Sequence, residues 1–210
     1  KLLVKKLTHF ALVVIGAHIG IHIKNEIKNF EKENVLLIEP VPHNVNAIKK
    51  NLSEFNNFVI EQVTLGSKKE SRDFYFVKEE SIHKLNKHWA SGIGSFKKEH
   101  ILNHRSKRFK VEETDIQKIT IPCLSFKDLI EKYSIKTIHK LLIDVEGSEY
   151  EILKDIEFNQ IDIKKIVFEY KHFDGYFKQG EKLDEIIKKL EINNYKVNKL
   201  DEENILAEKY

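Results

Sequence analysis

The chain alternates between short apolar runs and longer segments in which apolar residues recur every three or four positions. The first two apolar runs, 11–16 and 34–40, predict buried strands because almost every residue in them is hydrophobic. The segments that follow them, 20–33 and 43–55, predict helices with one apolar face each. A third strand is predicted over 57–66. Apolar strands joined by amphipathic helices indicate a parallel sheet covered by helices on both faces.

The middle of the chain departs from this alternation. The stretch "SRDFYFV" at 71–77 predicts an additional strand, whereas 78–108 is polar, rich in His and Lys, and without a regular period. We expect an insertion over about 67–123, in which 109–114 and 118–123 pair as a hairpin. Long irregular insertions in compact domains are usually functional. The 78–108 segment is therefore expected to act as a lid.

The alternation then resumes. A helix begins after Ser125, with Asp128 completing a capping box, and the strand at 139–147 is followed by a helix at 148–156. The remaining predicted elements are a strand at 164–171, a helix at 181–193 and a hairpin across "DEEN". The pattern contains no internal repeat and no linker. It predicts a single α/β domain over 1–210, a three-layer Rossmann-like sandwich with a mostly parallel sheet.

The composition excludes some classes of protein. Hydrophobic residues make up 41% and charged residues 33% of the 210 positions, a globular balance. The net charge of +3 and the presence of only three arginines argue against a nucleic-acid partner. A single cysteine, Cys123, excludes an internal disulfide and favours a reducing compartment, so we expect the protein in the cytoplasm.

The longest run of mainly apolar residues, Phe10–Ile23, does not predict a membrane span. It is interrupted by His18 and His22 and is shorter than the roughly 20 residues that a spanning helix needs. The basic start of the chain and Ala17 also resemble a secretion signal, and this alternative stays open.

Polar residues collect where the predicted strands end. In an open parallel sheet, ligands bind beyond the carboxyl ends of the strands. The residues at these ends are Gly16, Ala17, His18, Ile19 and Gly20 after the first strand, Glu39 and Pro40 after the second, Asp144 and Glu146 after the fourth core strand, and Glu169 and His172 after the fifth.

The glycine loop and Glu39 together predict a cofactor pocket. Gly16 and Gly20 allow a sharp turn, and a helix that begins directly after them would offer free N–H groups to an anion. Glu39 follows Gly20 by 19 residues, the spacing at which a carboxylate accepts hydrogen bonds from ribose hydroxyls. Neither G-x-G-x-x-G nor G-x-x-x-x-G-K-[ST] is present, so the shorter loop favours S-adenosylmethionine (SAM) over a dinucleotide or a nucleoside triphosphate.

Over about residues 10–172 the sequence resembles the FkbM family of SAM-dependent methyltransferases. The resemblance is carried by "VVIGAHIG", "LLIEPVPHNVNAIKKN", "IPCLSFKDLI", "KLLIDVEGSEYEILKDI" and "IVFEYKHF". Asp144, Glu146, Gly147 and Glu149 reproduce the family's D-x-E-G hallmark and the glutamate that follows it. The resemblance implies a class I methyltransferase fold with seven strands, the last antiparallel. It also implies SAM as methyl donor and O-methylation of a hydroxyl on a sugar, glycan or small natural product.

The first motif departs from the family pattern D-x-G-A-N-x-G. Val14 stands at the position of the aspartate and His18 at that of the asparagine. A histidine can still donate or accept a hydrogen bond. Val14 cannot replace a carboxylate, and in the family that aspartate helps to hold the methionine end of SAM.

The catalytic candidates are Asp144, Glu146 and His172. Asp144 and Glu146 are two residues apart at a strand end, so we expect both on one side. Asp144 is expected near the methionine portion or the acceptor, and Glu146 or His172 as polar contacts to the acceptor, where a base assists a hydroxyl nucleophile. The alternatives are that Asp144 caps the helix beginning near Ser148 and that His172 is a surface histidine.

Two weaker signals concern metals. His100 and His104 are spaced i, i+4, which would suit a metal on a helix, but a solvated helix face is the favoured interpretation. No residues are assigned to a metal, although a divalent ion among Asp144, Glu146 and Glu169 stays open.

Further alternatives concern the insertion and the function. Ser95, with Trp89 in the same lid, is a candidate contact to the acceptor, or the insertion packs on another subunit of a homo-oligomer. The competing functions are a nucleic-acid methyltransferase and a non-catalytic relative that binds a small molecule.

Overall fold

A computed structural model describes residues 8–85, 88–106, 109–171, 173 and 180–210. The strands are β1 (His9–Ile15), β2 (Val35–Ile38), β3 (Phe58–Glu61), β4 (Thr64–Leu65), β5 (Glu70–Val77), β6 (Gly94–Ser95), β7 (Arg105–Ser106), β8 (Phe109–Lys110), β9 (Ile116–Leu124), β10 (Thr137–Ile143), β11 (Asp162–Glu169), β12 (Tyr195–Lys199) and β13 (Asn204–Lys209). The helices are α1 (Lys24–Asn29), α2 (Pro42–Asn51), α3 (Glu79–Leu85), α4 (Lys98–Asn103), α5 (Phe126–Tyr133), α6 (Glu149–Asp155) and α7 (Glu181–Ile192), with 3₁₀ turns at His88–Gly92 and Glu113–Asp115.

Seven strands form the main sheet in the order β12-β13-β11-β10-β1-β2-β3. The five strands from β11 to β3 pair in parallel, and β13 runs antiparallel between β11 and β12. The predicted α/β sandwich, with a mostly parallel seven-stranded sheet and an antiparallel last strand, is confirmed. The terminal hairpin across "DEEN" is also present, as β12 and β13.

Strand β1 shows why the apolar runs are continuous. Val13 and Ile15 face a large core shared with α5, α6 and α7, whereas Leu12 and Val14 face a smaller core shared with α1 and α2. Successive side chains of a strand point to opposite faces. A strand covered on both faces therefore needs an apolar residue at every position.

The first helix differs from its prediction. It begins at Lys24 rather than at Gly20 and has only six residues. Gly20 adopts a positive φ of 80°, and turns occupy the residues between it and Lys24. The loop after β1 therefore does not lead directly into a helix N-terminus.

The predicted third strand divides between two sheets. Residues 58–61 form β3 at the edge of the main sheet, and β4 leaves it to pair with β9 through Leu65 and Leu124. The second sheet has the order β4-β9-β5-β6. Its members come from the inserted part of the chain, which begins slightly before the predicted position at 67.

The hairpin predicted between 109–114 and 118–123 is wrong. Strand β9 pairs instead with β5, antiparallel from Glu70 with Cys123 to Val77 with Ile116. Residues 113–115 form a 3₁₀ turn, and a reciprocal capping box between Glu112 and Asp115 closes it. This turn separates 109–110 from β9 in place of the expected hairpin loop. The short strand at 109–110 pairs with 105–106.

Within the described part of the chain, each helix is too short or too polar to cross a bilayer.

Candidate functional site

A cleft opens at the carboxyl edge of the main sheet, where β1 lies between β2 and β10. The order of the strands reverses direction at this point, which is where open α/β sheets bind ligands. The cleft has a volume of about 410 Å³ and is lined by Gly16, His18, Ile19, Ile21, His22, Glu39, Gly92, Asp144 and Glu146. This size is within the range of small-molecule and cofactor sites.

The structure brings together most of the predicted site residues. Six of them, Gly16, His18, Ile19, Glu39, Asp144 and Glu146, line this one cleft. Ala17 and Gly20 are buried behind it, and Pro40 lines an adjoining pocket. His172 lies outside the described residues.

Glu39 follows β2 and is buried, with only 4% of its surface exposed. Its carboxylate accepts hydrogen bonds from the His18 N–H (2.9 Å), the Val41 N–H (3.0 Å) and the Asn44 side-chain amide (3.1 Å). Burial raises the pKa of Glu39 to about 7, although these three donors oppose the rise. A carboxylate has about four lone-pair sites, so Oε2, which accepts only from His18 among these contacts, retains capacity for another donor.

Gly16 is required by close packing. Its φ is +91°, and a Cβ at this position would lie 1.7 Å from the carbonyl oxygen of Asp144. The loop after β1 therefore lies directly against the end of β10. No residue with a side chain can hold these two chain segments in this arrangement.

Most amides of the glycine loop are already engaged within the protein. The N–H groups of Gly16 and Ala17 both donate to the carbonyl of Ile38 at 3.0 Å, and the N–H of Gly20 donates to Ala17. The expected capture of an anion by amides near Ala17 would have to displace these bonds. The loop shapes the cleft, and its amides mainly hold the loop on β2.

His18 occupies the position of the family's asparagine with a φ of 49°. Asparagine and histidine are both enriched in this left-handed conformation, which gives the replacement a physical basis. Its Nε2 hydrogen-bonds the hydroxyl of Ser91 in the insertion. The Ser91 carbonyl accepts from Asn44 at 2.8 Å, so residues 91–92 are held over Glu39 from two sides.

Val14 is 2% exposed and packs with the aliphatic side chains of α1 and α2. It is in register with Leu37 and Leu142 on the neighbouring strands. The position of the family's aspartate is thus a fully apolar core position in this chain.

Asp144 is exposed in the cleft, and Glu149 is completely buried behind it. Glu149 accepts hydrogen bonds from the N–H groups of Val145 (2.8 Å) and Gly147 (2.9 Å). The glutamate of the hallmark thus holds the loop that carries Asp144 and Glu146. Burial, with the nearby carboxylates of Asp144 and Glu169 adding to it, raises the pKa of Glu149 well above its usual value.

Glu146 does not follow the alternation of a strand, because β10 ends at Ile143 and Glu146 has a φ of 57°. Its carboxylate points towards two histidines of the insertion, with Oε2 3.5 Å from His100 Nε2 and 3.6 Å from His104 Nε2. His100 is 3% exposed, so the interpretation of this pair as a solvated helix face is wrong. The insertion folds back and buries it against the core.

A second, mainly apolar pocket adjoins the cleft. It is narrow, with a volume of about 50 Å³, and lies between the ends of β1 and β2, the β3–β4 connection and the insertion. Its apolar lining includes Val41, Val63 and Phe74, and Ser95 contributes from the predicted lid. The side chain of Trp89 lies outside the described residues.

Two contributors to the site were not found from sequence. Asn44 is 1% exposed on α2, and a polar residue on the buried face of a predicted helix is the signal that would have identified it. Ser91 belongs to the irregular insertion. No local pattern indicates which core residue such a segment contacts.

This strand order, with a glycine loop after β1, a carboxylate after β2 and an acidic loop after β10, defines a Rossmann-like α/β protein of the class I methyltransferase type. The chain belongs to the family described as "Methyltransferase FkbM domain", whose model matches residues 15–197. Among curated protein sequences, none matches this chain significantly.

Three solved structures are similar to this chain. Methyltransferase FkbM from Methylobacillus flagellatus KT is 13% identical with a TM-score of 0.51, covering 96% of this chain and 44% of that chain. A fibrillarin/Nop5p complex is 12% identical with a TM-score of 0.49, and the match covers 99% of this chain and 75% of that chain. Precorrin-6y C5,15-methyltransferase from Geobacter metallireducens GS-15 is 13% identical with a TM-score of 0.47, and the match covers 97% of this chain and 84% of that chain. This chain spans less than half the length of the Methylobacillus protein.

Proposed function

We propose that the protein is a SAM-dependent methyltransferase that methylates a hydroxyl on a sugar, glycan or small natural product. The observation that carries the proposal is the position of Glu39. A buried carboxylate follows β2 at the point where the strand order reverses, and it lines a cleft large enough for a cofactor. Such a carboxylate is the group that binds ribose hydroxyls in adenosine-type sites.

The donors and acceptors of the cleft fit an adenosine-type ligand. Oε2 of Glu39 has capacity for a ribose hydroxyl, and the apolar side chains of Val41 and Val63 beside it offer a surface for packing against an aromatic base. Glu39 and Gly16 line both spaces. A ligand in the cleft would therefore meet the apolar pocket at Glu39 and Gly16.

The amino-acid end of SAM would be held by side chains more than by loop amides. The amides of Gly16 and Ala17 are engaged, and Val14 offers no polar group. Asp144 is an exposed carboxylate on the opposite wall of the cleft and is suited to an ammonium group.

The acceptor would bind between the cleft and the insertion. When bound, SAM supplies an electrophilic methyl group, and the chain's task is to place a hydroxyl in line with it. Glu146 lines the cleft, so its carboxylate can make a polar contact to the acceptor hydroxyl. Ser95 and His172 remain candidate contacts to the acceptor.

Calorimetric titration with SAM and with its demethylated product tests the proposal. We expect one binding site per chain. Glu39→Ala should weaken binding by about 10- to 100-fold, because it removes a buried charged acceptor. Glu31→Ala, at an exposed glutamate before β2, serves as the matched control and should bind like the original protein. Absence of heat with either ligand at millimolar concentration, from a folded protein, overturns the proposal.

A non-catalytic binding protein is the second candidate, and the burial of Val14 favours it. A chain that has lost a cofactor carboxylate and fills its position with core packing resembles a fold kept for binding alone. The two candidates differ in one measurement. A catalyst binds SAM and its demethylated product, whereas a binding protein of this kind binds neither.

A further inference from the structure

The insertion and the hallmark loop meet in a compact group of three metal-ligating side chains, His100, His104 and Glu146. The two histidines are four residues apart, on α4 and directly after it, and so lie on one face. Glu146 approaches them from the loop that follows β10. All three ligand atoms lie within 4.8 Å of one another.

The spacing of the three atoms is that of ligands around one metal ion, and two of them, on His100 and His104, also hydrogen-bond each other. His100 Nε2 and His104 Nε2 are 3.2 Å apart, and Glu146 Oε2 is 3.5 and 3.6 Å from them. The two distances to the carboxylate are longer than hydrogen bonds to a charged acceptor, which are about 2.7–2.9 Å. They are close to the edge of a tetrahedron around Zn²⁺, which is about 3.3 Å when the ligands lie about 2.0–2.1 Å from the ion.

A single point can satisfy all three ligands. The circle through atoms 3.2, 3.5 and 3.6 Å apart has a radius of about 2.0 Å, equal to a Zn–N or Zn–O distance. The backbone of Glu146 is left-handed, at a φ of 57°. Such a conformation costs a non-glycine residue about 1–2 kcal/mol, and here it directs the carboxylate towards the histidines.

We propose that His100, His104 and Glu146 bind a divalent transition metal of the zinc class. Two imidazoles and one carboxylate form a known three-ligand set for Zn²⁺, in which the fourth position stays open to water or substrate. The ion would connect the insertion to the carboxyl edge of the main sheet. Because Glu146 also lines the cleft, the ion would stand beside the proposed acceptor region.

The site also suggests a role in the reaction, and this step rests on the proposed methyltransferase function. A hydroxyl bound to Zn²⁺ loses its proton more readily than a free hydroxyl. The proton would pass to solvent. The hydroxyl oxygen would form a bond to the methyl carbon of SAM as the bond between that carbon and the sulfur breaks, and the demethylated cofactor would leave. The proposed acceptor class, a sugar or small-molecule hydroxyl, suits this chemistry.

Titration of the untagged, metal-free protein with Co²⁺ and Zn²⁺ tests the metal site directly. We expect visible absorption from one equivalent of Co²⁺ in a four-coordinate N/O environment, and its loss when one equivalent of Zn²⁺ is added. Protons should be released on binding, because the histidines must be neutral to act as ligands. If neither ion binds with unit stoichiometry, the proposal is overturned.

Variants locate the ion. His100→Ala, His104→Ala and Glu146→Gln should each weaken Zn²⁺ binding by at least ~100-fold, more than the loss of a residue that only orients a ligand. The matched control is His83→Ala, at an exposed histidine of α3 in the same insertion, which should leave affinity unchanged. Equal affinity in all four variants would place the ion elsewhere and overturn the assignment.

His100 is buried, so its replacement can disturb folding. The exposed fraction of the His104 side chain is larger, at 14%, and His104→Gln with urea unfolding in the absence of metal separates lost ligation from lost structure. Unchanged unfolding with weakened Zn²⁺ binding supports the site, and full Zn²⁺ affinity in this variant overturns it.

Different results would overturn the proposed metal site and the proposed methyltransferase function. Zn²⁺ binding without SAM binding would overturn the proposed function and leave the site standing. SAM binding without Zn²⁺ binding would overturn the site alone.

Discussion

The protonation of Glu39 offers a sharp test of the site, because desolvation and hydrogen bonding shift the pKa of its carboxyl group in opposite directions. Removal from water raises its pKa from 4.5 to about 7, while three hydrogen-bond donors work to lower it. Glu39→Gln removes the titration and keeps the shape of the side chain. It also carries a constant penalty, since one of the donors then faces an amide N–H₂.

The sign of the pH dependence follows from proton binding. Between pH 4.5 and about 7 the native protein holds a proton on Glu39 that the unfolded chain has released. The free energy of unfolding therefore decreases as pH rises through this window. The pKa difference corresponds to about 3 kcal/mol when the carboxyl is fully buried, as it is here.

Urea unfolding of both proteins between pH 4 and pH 8 measures this contribution. The difference in unfolding free energy, original minus Glu39→Gln, should fall by about 3 kcal/mol across the series. Other groups, including Glu149, titrate in both proteins and largely cancel. Glu31→Gln is the control, and its difference should stay flat because Glu31 is exposed.

Two results would contradict this reasoning. A difference that stays constant means that Glu39 titrates normally in the folded protein. A difference that increases with pH means that the His18, Val41 and Asn44 donors outweigh desolvation and hold the carboxylate ionised. Adenosine, which has no titrating group in this range, extends the test. Hydrogen bonds donated by its ribose hydroxyls favour the charged form of the Glu39 carboxylate. The affinity for adenosine should therefore rise with pH in the original protein and stay constant in Glu39→Gln.

Two further predictions concern the backbone. Gly16→Ala should lower the unfolding free energy, measured by chemical denaturation, by more than about 3 kcal/mol, because a new Cβ 1.7 Å from the Asp144 carbonyl oxygen adds a steric clash to the cost of a positive φ. The control is Gly180→Ala, where φ is +144° and ψ is −140° but a Cβ meets nothing within 4 Å, so it should lose only the backbone cost of about 1–3 kcal/mol. Ser134→Gly should raise stability by about 0.5 kcal/mol, because Ser134 ends α5 in a left-handed conformation at φ 55° that glycine adopts without strain; a decrease in the urea midpoint would contradict this.

The sequence indicated the core of the fold because burial on both faces leaves a visible pattern. Strands such as β1 and β2 are almost uninterrupted apolar runs, and the capping box of α5 is local, with Ser125 accepting from the Asp128 N–H. The candidate residues at strand ends were found for the same reason. Once the parallel sheet is inferred, Gly16, Glu39 and Asp144 must meet at one edge.

The remaining features depend on contacts between distant parts of the chain. His18 and Ser91 are separated by 73 positions, and His100 of α4 approaches Glu146 across 46 positions (146 − 100). The pairing of β9 with β5 instead of a nearer partner joins residues up to 53 positions apart, Glu70 and Cys123 (123 − 70). Periodicity in a sequence reports which face of an element is buried, but not which neighbour buries it.

The charges at the carboxyl edge indicate that this edge is shaped for binding rather than for stability. Glu39 and Glu149 are both buried there, and burial raises the pKa of each, so each costs folding free energy when ionised. Apolar residues at these positions would be less costly to the isolated protein. A ligand that donates to Glu39 would recover part of this cost only when bound. We therefore expect ligand binding to stabilise this edge of the sheet. The titrations of Glu39 and of the His100–His104–Glu146 site test this expectation on the two sides of the cleft.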